Sequence, residues 1–121
     1  MVESRAFFTY LELTCFEDYV KLWQDPETNK LLSIWGSYVE GIGVLVREKH
    51  LDVKVIAGLM GGIIKTHWEK LAPYVIEMRE KTKTPRAWIE WEYLYNELMK
   101  YAEKHPERSI QESEMLDPRR A

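Results

Sequence analysis

Two glutamates stand among aromatic residues, in segments that could line a catalytic or binding pocket. Glu40 lies in "YVEGIG" and Glu92 in "WIEWEYLYNEL". A carboxylate in an apolar, aromatic environment has a raised pKa and can then act as a general acid or base. The alternative, which the pattern favours, is a buried network of ion pairs. Its basic members would come from Arg47, Lys65, Arg79 and Arg86.

His67 and Cys15 are the other residues whose side chains could do chemistry. His67 lies near Ile63 and Leu71 on one side of a predicted helix. That position suits a hydrogen-bonded core histidine, with a general base or ligand as the alternative. Cys15 is the sole cysteine, so a cysteine zinc site is impossible, and it falls on an apolar stripe where an inert thiol is expected. No Glu-x-x-His motif of a dimetal bundle occurs. We expect no metal and no cofactor.

The segment "IAGLMGGIIKTHWEK" resembles a phosphate-binding loop only superficially. Two isoleucines separate Gly62 from Lys65, and no strand precedes the segment, so backbone N–H groups cannot wrap a phosphate there. Glycine in a helix costs about 0.5–1 kcal/mol relative to alanine, so repeated glycines invite a compensating close contact. We therefore predict a packing interface, formed with another helix of the bundle or with a second subunit, or else a ligand cleft. Its residues are Gly36, Gly43, Gly58 and Gly62.

Apolar residues recur at spacings of three and four, which predicts an all-α protein. Asp25-Pro26, Asp52 and Thr84-Pro85 are typical helix starts. Pro73 predicts a kink in the long third helix. A short turn joins helices two and three, which predicts an antiparallel hairpin at the centre of the bundle. The four predicted helices are Arg5–Trp23, Pro26–Lys49, Val53–Lys81 and Pro85–Lys104.

Length and composition indicate one helical domain over residues 1–105, followed by a polar tail over 106–121. The 121-residue chain carries 17 basic and 20 acidic residues, without a basic stripe, which argues against a nucleic-acid partner. Its longest apolar run, Val55 to Ile64, is too short to span a bilayer. A lone cysteine and the absence of a signal sequence lead us to expect a cytoplasmic protein.

Three segments, "SYVEGIGVLVREKHLDV", "HWEKLAPYVIEMREK" and "PRAWIEWEYLYNEL", together resemble an uncharacterised family of small helical prokaryotic proteins. The family is known as a domain of unknown function. The similarity covers roughly Trp35 to Met99 and includes Glu40, Arg79 and Glu92. The resemblance implies a helical fold and no particular activity. Family members often carry a membrane segment before this domain, and this sequence shows none.

Two functions follow as hypotheses. The first is a binding or assembly module that forms a homodimer, or docks a protein partner, through its small-residue helix faces. The second is a small-molecule or enzymatic site lined by Glu40, Glu92, His67 and tryptophans. The sequence favours the first and leans against an enzyme. An open aromatic cavity in the bundle would favour the second.

Overall fold

The computed structural model of the chain describes residues 7–106, and these form an all-α bundle, as predicted. Residues 7–10 are helical and precede four longer helices. These are α1 (Phe16–Gln24), α2 (Pro26–Arg47), α3 (Val53–Thr82) and α4 (Ile89–Lys104). The predicted helix start at Arg5 and all of the predicted polar tail except Pro106 lie outside the described residues.

Local capping sets the starts of α2 and α3. The Asp25 side chain accepts a hydrogen bond from the Glu27 amide, with Pro26 at the first helical position. The Asp52 side chain accepts from the Lys54 amide at 2.9 Å. Both contacts satisfy amides that have no partner within their own helix. The predicted starts of these two helices are therefore confirmed.

The prediction of one continuous first helix is wrong. Residues 11–14 are not helical, and α1 begins only at Phe16. The Asp18 carboxylate accepts from the backbone amide and the hydroxyl of Thr14, at 3.1 and 2.8 Å, and so holds the chain before the first turn. Cys15 is consequently exposed rather than part of a buried apolar stripe.

Helix α4 begins at Ile89 rather than at Pro85, so the predicted start at Thr84-Pro85 is also wrong. Its N-cap is Trp88, whose φ of 55° places it in the left-handed region. Residues 85–88 instead form turns, with the Ala87 amide bonded to the Thr84 carbonyl. A left-handed residue cannot continue a helix, so the helical run starts after it.

Helix α3 departs from helical geometry at Met60, where φ is −155° and ψ is 18°. The predicted kink near Pro73 is thus misplaced, because Pro73 lies within a run of helical dihedral angles. Met60 stands between Gly58 and Gly61, and glycines lower the local preference for the helix. The irregularity therefore falls where the glycines cluster.

Helix α4 lies at the centre of the bundle, between α2 and α3, which run antiparallel as predicted but are not themselves the central pair. It packs extensively against both α2 and α3, whereas those two make few close backbone contacts with each other. Near α2, Trp88 lies over Gly36 and Glu90 over Gly43, so α4 runs parallel to α2. Helices α4 and α3 are antiparallel. The first turn of α4 lies near Arg79, at the end of α3, and its later turns lie near Val53, at the start of α3.

The core is rich in aromatic residues from every helix. Trp35 and Trp91 are each 1% exposed, and the ring of Trp91 lies 5.7 Å from that of Trp68. The smaller helix α1 contributes Tyr19, which is buried against Tyr74 of α3. Within residues 7–106, no helix combines the length and apolar character needed to cross a membrane.

Candidate functional site: an aromatic pocket at the start of α4

A cavity of 660 Å³ lies between α1, the end of α3 and the turn that precedes α4. Most of its walls are aromatic or aliphatic. We call it the aromatic pocket, and its lining residues are Phe16, Tyr19, Val20, Trp23, Glu40, Met78, Lys81, Thr82, Ala87 and Trp88. Its volume lies within the range of about 300–1,000 Å³ that is usual for small-molecule sites.

The position of Trp88 depends on a glycine of α2. A β-carbon at Gly36 would lie 2.7–2.9 Å from ring atoms of Trp88, with a third ring atom closer still. The absent side chain lets the indole lie against the α2 backbone. There the ring stacks with that of Trp23, at 6.3 Å between centroids and an interplanar angle of 21°. Gly36 therefore shapes one wall of the pocket.

Tyr19 supplies a buried hydroxyl group to this apolar site. The residue is 1% exposed, and its oxygen makes no hydrogen bond of normal geometry within the described residues. Burial raises the pKa of the Tyr19 hydroxyl, while the indoles of Trp23 and Trp88 and the charge of Arg79 act in the opposite direction. Buried polar groups in proteins nearly always have a partner, so this one calls for an explanation.

Arg79 lies behind the pocket lining and holds the turn before α4. Its Nε donates to the Ala87 carbonyl at 2.9 Å, and its Nη1 pairs with Glu92 at 2.9 Å. Nη2 is also buried and has no hydrogen-bond partner among the described residues. The guanidinium thus positions the turn and keeps one nitrogen unpaired.

Glu40 reaches from α2 to the first turn of α4. Its Oε1 accepts a hydrogen bond from the Trp91 amide at 2.5 Å, so it satisfies an amide that α4 itself leaves open. Burial raises the pKa of Glu40, and the Glu90 charge adds to this. The amides of Trp91 and Glu90 and the charge of Arg79 oppose the shift. Glu40 is a tertiary helix cap that also lines the pocket.

Six of the residues singled out in the sequence do not form one network: Glu40, His67, Glu92, Arg47, Lys65 and Arg79. Glu92 pairs with Arg79, one of its predicted partners. Glu40 forms no ion pair within residues 7–106, so its expected basic partner is replaced by a backbone amide. The other three residues lie elsewhere: Lys65 pairs with Glu69, Arg47 pairs with Glu48 and Glu90, and His67 lies in the core.

His67 takes the core position that the sequence favoured. It is 1% exposed, its Nε2 lies 3.1 Å from the Thr9 hydroxyl, and its ring stacks on Phe8 at 5.3 Å. Trp35 covers its edge. The histidine therefore does not line the aromatic pocket with Glu40.

A family model for a domain of unknown function, DUF4760, matches residues 3–98. The chain belongs to this family. The resemblance expected for the region from Trp35 to Met99 is thus confirmed, and the match also includes α1, which supplies four lining residues of the aromatic pocket. No curated protein and no solved structure matches the chain.

Of the four glycines predicted to form an interface, two are in close contact with residues of the same DUF4760 domain. Gly36 lies against Trp88, and Gly43 against the backbone of Glu90. Gly62 is buried, whereas Gly58 is exposed and has open space beside it. The small residues of α2 therefore serve the packing of α4 in the same chain.

Several pocket residues were missed by sequence reasoning. Phe16 and Val20 lie on α1 with Trp23, one of the tryptophans predicted for the small-molecule site, at a helical spacing that indicates a buried face but not a cavity. Trp88 joins them only because its backbone is left-handed and Gly36 leaves room for its ring. Within residues 7–106 there is no cluster of His, Cys, Asp and Glu that could hold a metal ion.

Proposed function

We propose that this domain binds a small hydrophobic molecule in the aromatic pocket. The observation that carries the proposal is the buried Tyr19 hydroxyl, which lacks a normal hydrogen bond although its residue lines a large apolar cavity. Such a group is costly unless something completes its hydrogen bonding. A bound molecule would do so while burying its apolar surface against Trp23 and Trp88.

Binding is a better proposal than catalysis. Glu40 is engaged by the Trp91 amide, and His67 lies in the core rather than at the pocket. The two residues most suited to acid–base work therefore do not meet at one substrate position. The apolar walls are instead suited to holding a ligand.

A neutral fluorescent probe, N-phenyl-1-naphthylamine, tests the proposal. We expect it to bind the full chain with enhanced fluorescence. Val20→Phe fills the pocket and should weaken binding about tenfold or more, the equivalent of about 1.4 kcal/mol. Val44→Phe is the matched control, because Val44 is 37% exposed on α2.

The two variants give a clear decision. Equal affinity of the two variants for the probe, or no binding to the unmodified protein, contradicts the proposal. Circular dichroism establishes that both variants are folded. If Val20→Phe does not fold, Ala87→Leu blocks the same cavity from the turn before α4.

Self-association is a second candidate, and an exposed stripe on α2 favours it. Ile34, Tyr38 and Leu45 recur at helical spacing and are 39, 43 and 41% exposed, with no exposed charge among them. A two-fold pairing with a second copy would bury this stripe. Light scattering after size exclusion tests it. A single 14.4 kDa species at high micromolar concentration contradicts the dimer, and Tyr38→Lys should dissociate one.

The proposed location is the cytoplasm. Cys15, the sole cysteine of the sequence, is exposed and cannot form an intrachain disulfide. A reducing compartment suits such a thiol. Fractionation of the native cells with an antibody to the protein tests this location, and recovery in the membrane or secreted fraction contradicts it.

A further inference from the structure

We propose that the ligand of the aromatic pocket is an uncharged aromatic compound with a carbonyl oxygen, which accepts a hydrogen bond from the Tyr19 hydroxyl. This inference rests on the proposed function and names the chemical class of its ligand. It is carried by three features of the pocket: the donors around Tyr19, the balance of charge and the shape of the walls.

Among the described residues, the side chains whose hydrogen bonds or charge act on the Tyr19 hydroxyl are donors. They are the indole N–H groups of Trp23 and Trp88 and the guanidinium of Arg79, whose Nη2 is itself buried and unpaired. Indole and guanidinium nitrogens cannot accept a hydrogen bond. Within residues 7–106 the hydroxyl proton of Tyr19 therefore has no acceptor, and a ligand can supply one.

The charges near the pocket favour an uncharged acceptor. Glu40 and Lys81 both line the pocket. The Lys81 side chain is 59% exposed and already contacts the Phe16 ring and Glu77. Glu92 already pairs with Arg79. A carboxylate or phosphate of a ligand would face the Glu40 charge in apolar surroundings, where like charges repel strongly. A ligand cation would approach Arg79 and would offer no acceptor to Tyr19.

The walls favour an aromatic body. Trp23 and Trp88 are stacked with each other, and Phe16 lines the same cavity. Aromatic side chains make favourable edge-to-face or offset contacts with a further ring. A ring system packs against these walls, and an attached ketone or similar carbonyl can accept a hydrogen bond from the unpaired Tyr19 hydroxyl.

Three naphthalene derivatives of similar size test separately whether an acceptor is needed and whether it must be uncharged. 2-Acetonaphthone carries an uncharged carbonyl, 2-ethylnaphthalene lacks an acceptor and 2-naphthoate carries an anionic one. Each is titrated against the full chain by quenching of tryptophan fluorescence. We expect 2-acetonaphthone to bind about tenfold more tightly than 2-ethylnaphthalene, as one added hydrogen bond in a buried site allows, and more tightly than 2-naphthoate.

Tyr19→Phe tests the residue itself. The variant should bind 2-acetonaphthone and 2-ethylnaphthalene with nearly equal affinity, because it keeps the ring and removes the donor. Tyr74→Phe is the matched control. Tyr74 stacks on Tyr19 at 6.1 Å, but its own hydroxyl donates to the Leu13 carbonyl at 3.1 Å, so the preference for the ketone should remain.

Each outcome has a distinct meaning. Equal binding of 2-acetonaphthone and 2-ethylnaphthalene to the unmodified chain, abolished by Val20→Phe, overturns this inference and leaves the proposed function standing. Tightest binding of 2-naphthoate overturns it in favour of an anionic ligand. An unchanged preference in Tyr19→Phe shows that another group makes the contact and also overturns it. No binding of any naphthalene, together with no binding of the N-phenyl-1-naphthylamine probe, overturns the proposed function as well.

Discussion

The backbone carbonyl of Glu90 packs directly against the α-carbon of Gly43. A β-carbon at Gly43 would lie 2.8 Å from the carbonyl carbon of Glu90 and nearer still to its oxygen. The obstacle is backbone in the first turn of α4, so it cannot move aside like the end of a flexible side chain. This contact fixes how closely α2 and α4 approach.

Gly43→Ala should therefore destabilise the protein by about 1–3 kcal/mol, as overpacked sites do. Gly41→Ala is the matched control on the same helix, because a β-carbon at Gly41 meets nothing within 4 Å. Its replacement should stabilise the helix by about 0.5–1 kcal/mol. Urea unfolding followed by circular dichroism measures both, and equal midpoints would refute the close contact.

Glu40→Gln should cost less stability than Glu40→Leu. The amide oxygen of glutamine can still accept from Trp91, whereas leucine leaves that amide open. Loss of a helix cap costs about 0.5–2 kcal/mol, which is the loss expected for Glu40→Leu relative to Glu40→Gln. Thermal unfolding of the two variants checks the order, and the reverse order would exclude a capping role for Glu40.

The raised pKa of Glu40 predicts a specific dependence of stability on pH. The folded protein holds this proton more tightly than the unfolded chain, where the pKa is near its ordinary 4.5. The free energy of unfolding therefore falls as the pH rises from 4.5 through the raised value. Glu40→Gln removes this contribution. Unfolding measured from about pH 4 to about pH 8 should show the unmodified protein losing stability relative to the variant. A constant difference, or a gain with rising pH, would contradict the raised pKa.

Arg79→Met should destabilise the protein by about 1.5–3 kcal/mol, because it removes charge-assisted hydrogen bonds to Ala87 and Glu92. The Arg79 side chain is only 14% exposed. Lys100→Met is the control, since the Lys100 side chain is 71% exposed and its pair with Glu97 is on the surface. That change should stay within about 0.5 kcal/mol. Similar losses in both variants, measured by urea unfolding, would argue against a holding role for Arg79.

Cys15 should react rapidly with a thiol reagent in the native protein. The residue is exposed at the N-cap of α1, where residues 11–14 interrupt the helical path. Labelling with 5,5′-dithiobis(2-nitrobenzoate) should therefore reach one thiol per chain without denaturant. If the thiol reacts only after unfolding, Cys15 is buried in the native protein, as the continuous first helix predicted from the sequence requires.

The sequence determined the features that depend on neighbouring residues. Asp25 with Pro26, and Asp52, start α2 and α3, because each side chain caps amides two residues further along the chain. Spacing of apolar residues at three and four placed Trp91 and His67 in the core, where the structure has them. The pairing of Arg79 with Glu92 was among the predicted alternatives, and only the fold selected it.

The tertiary structure decided which surfaces meet. A sequence shows that Gly36 and Gly43 leave space, but not whether a second copy or α4 of the same chain fills that space. Thr84-Pro85 is a convincing local start for α4, and it is overridden because Trp88 adopts a left-handed conformation over Gly36. Glu40 likewise meets the amide of Trp91 rather than a basic side chain. These contacts join residues about fifty positions apart, and their energies depend on the approach of whole helices, which local patterns do not encode.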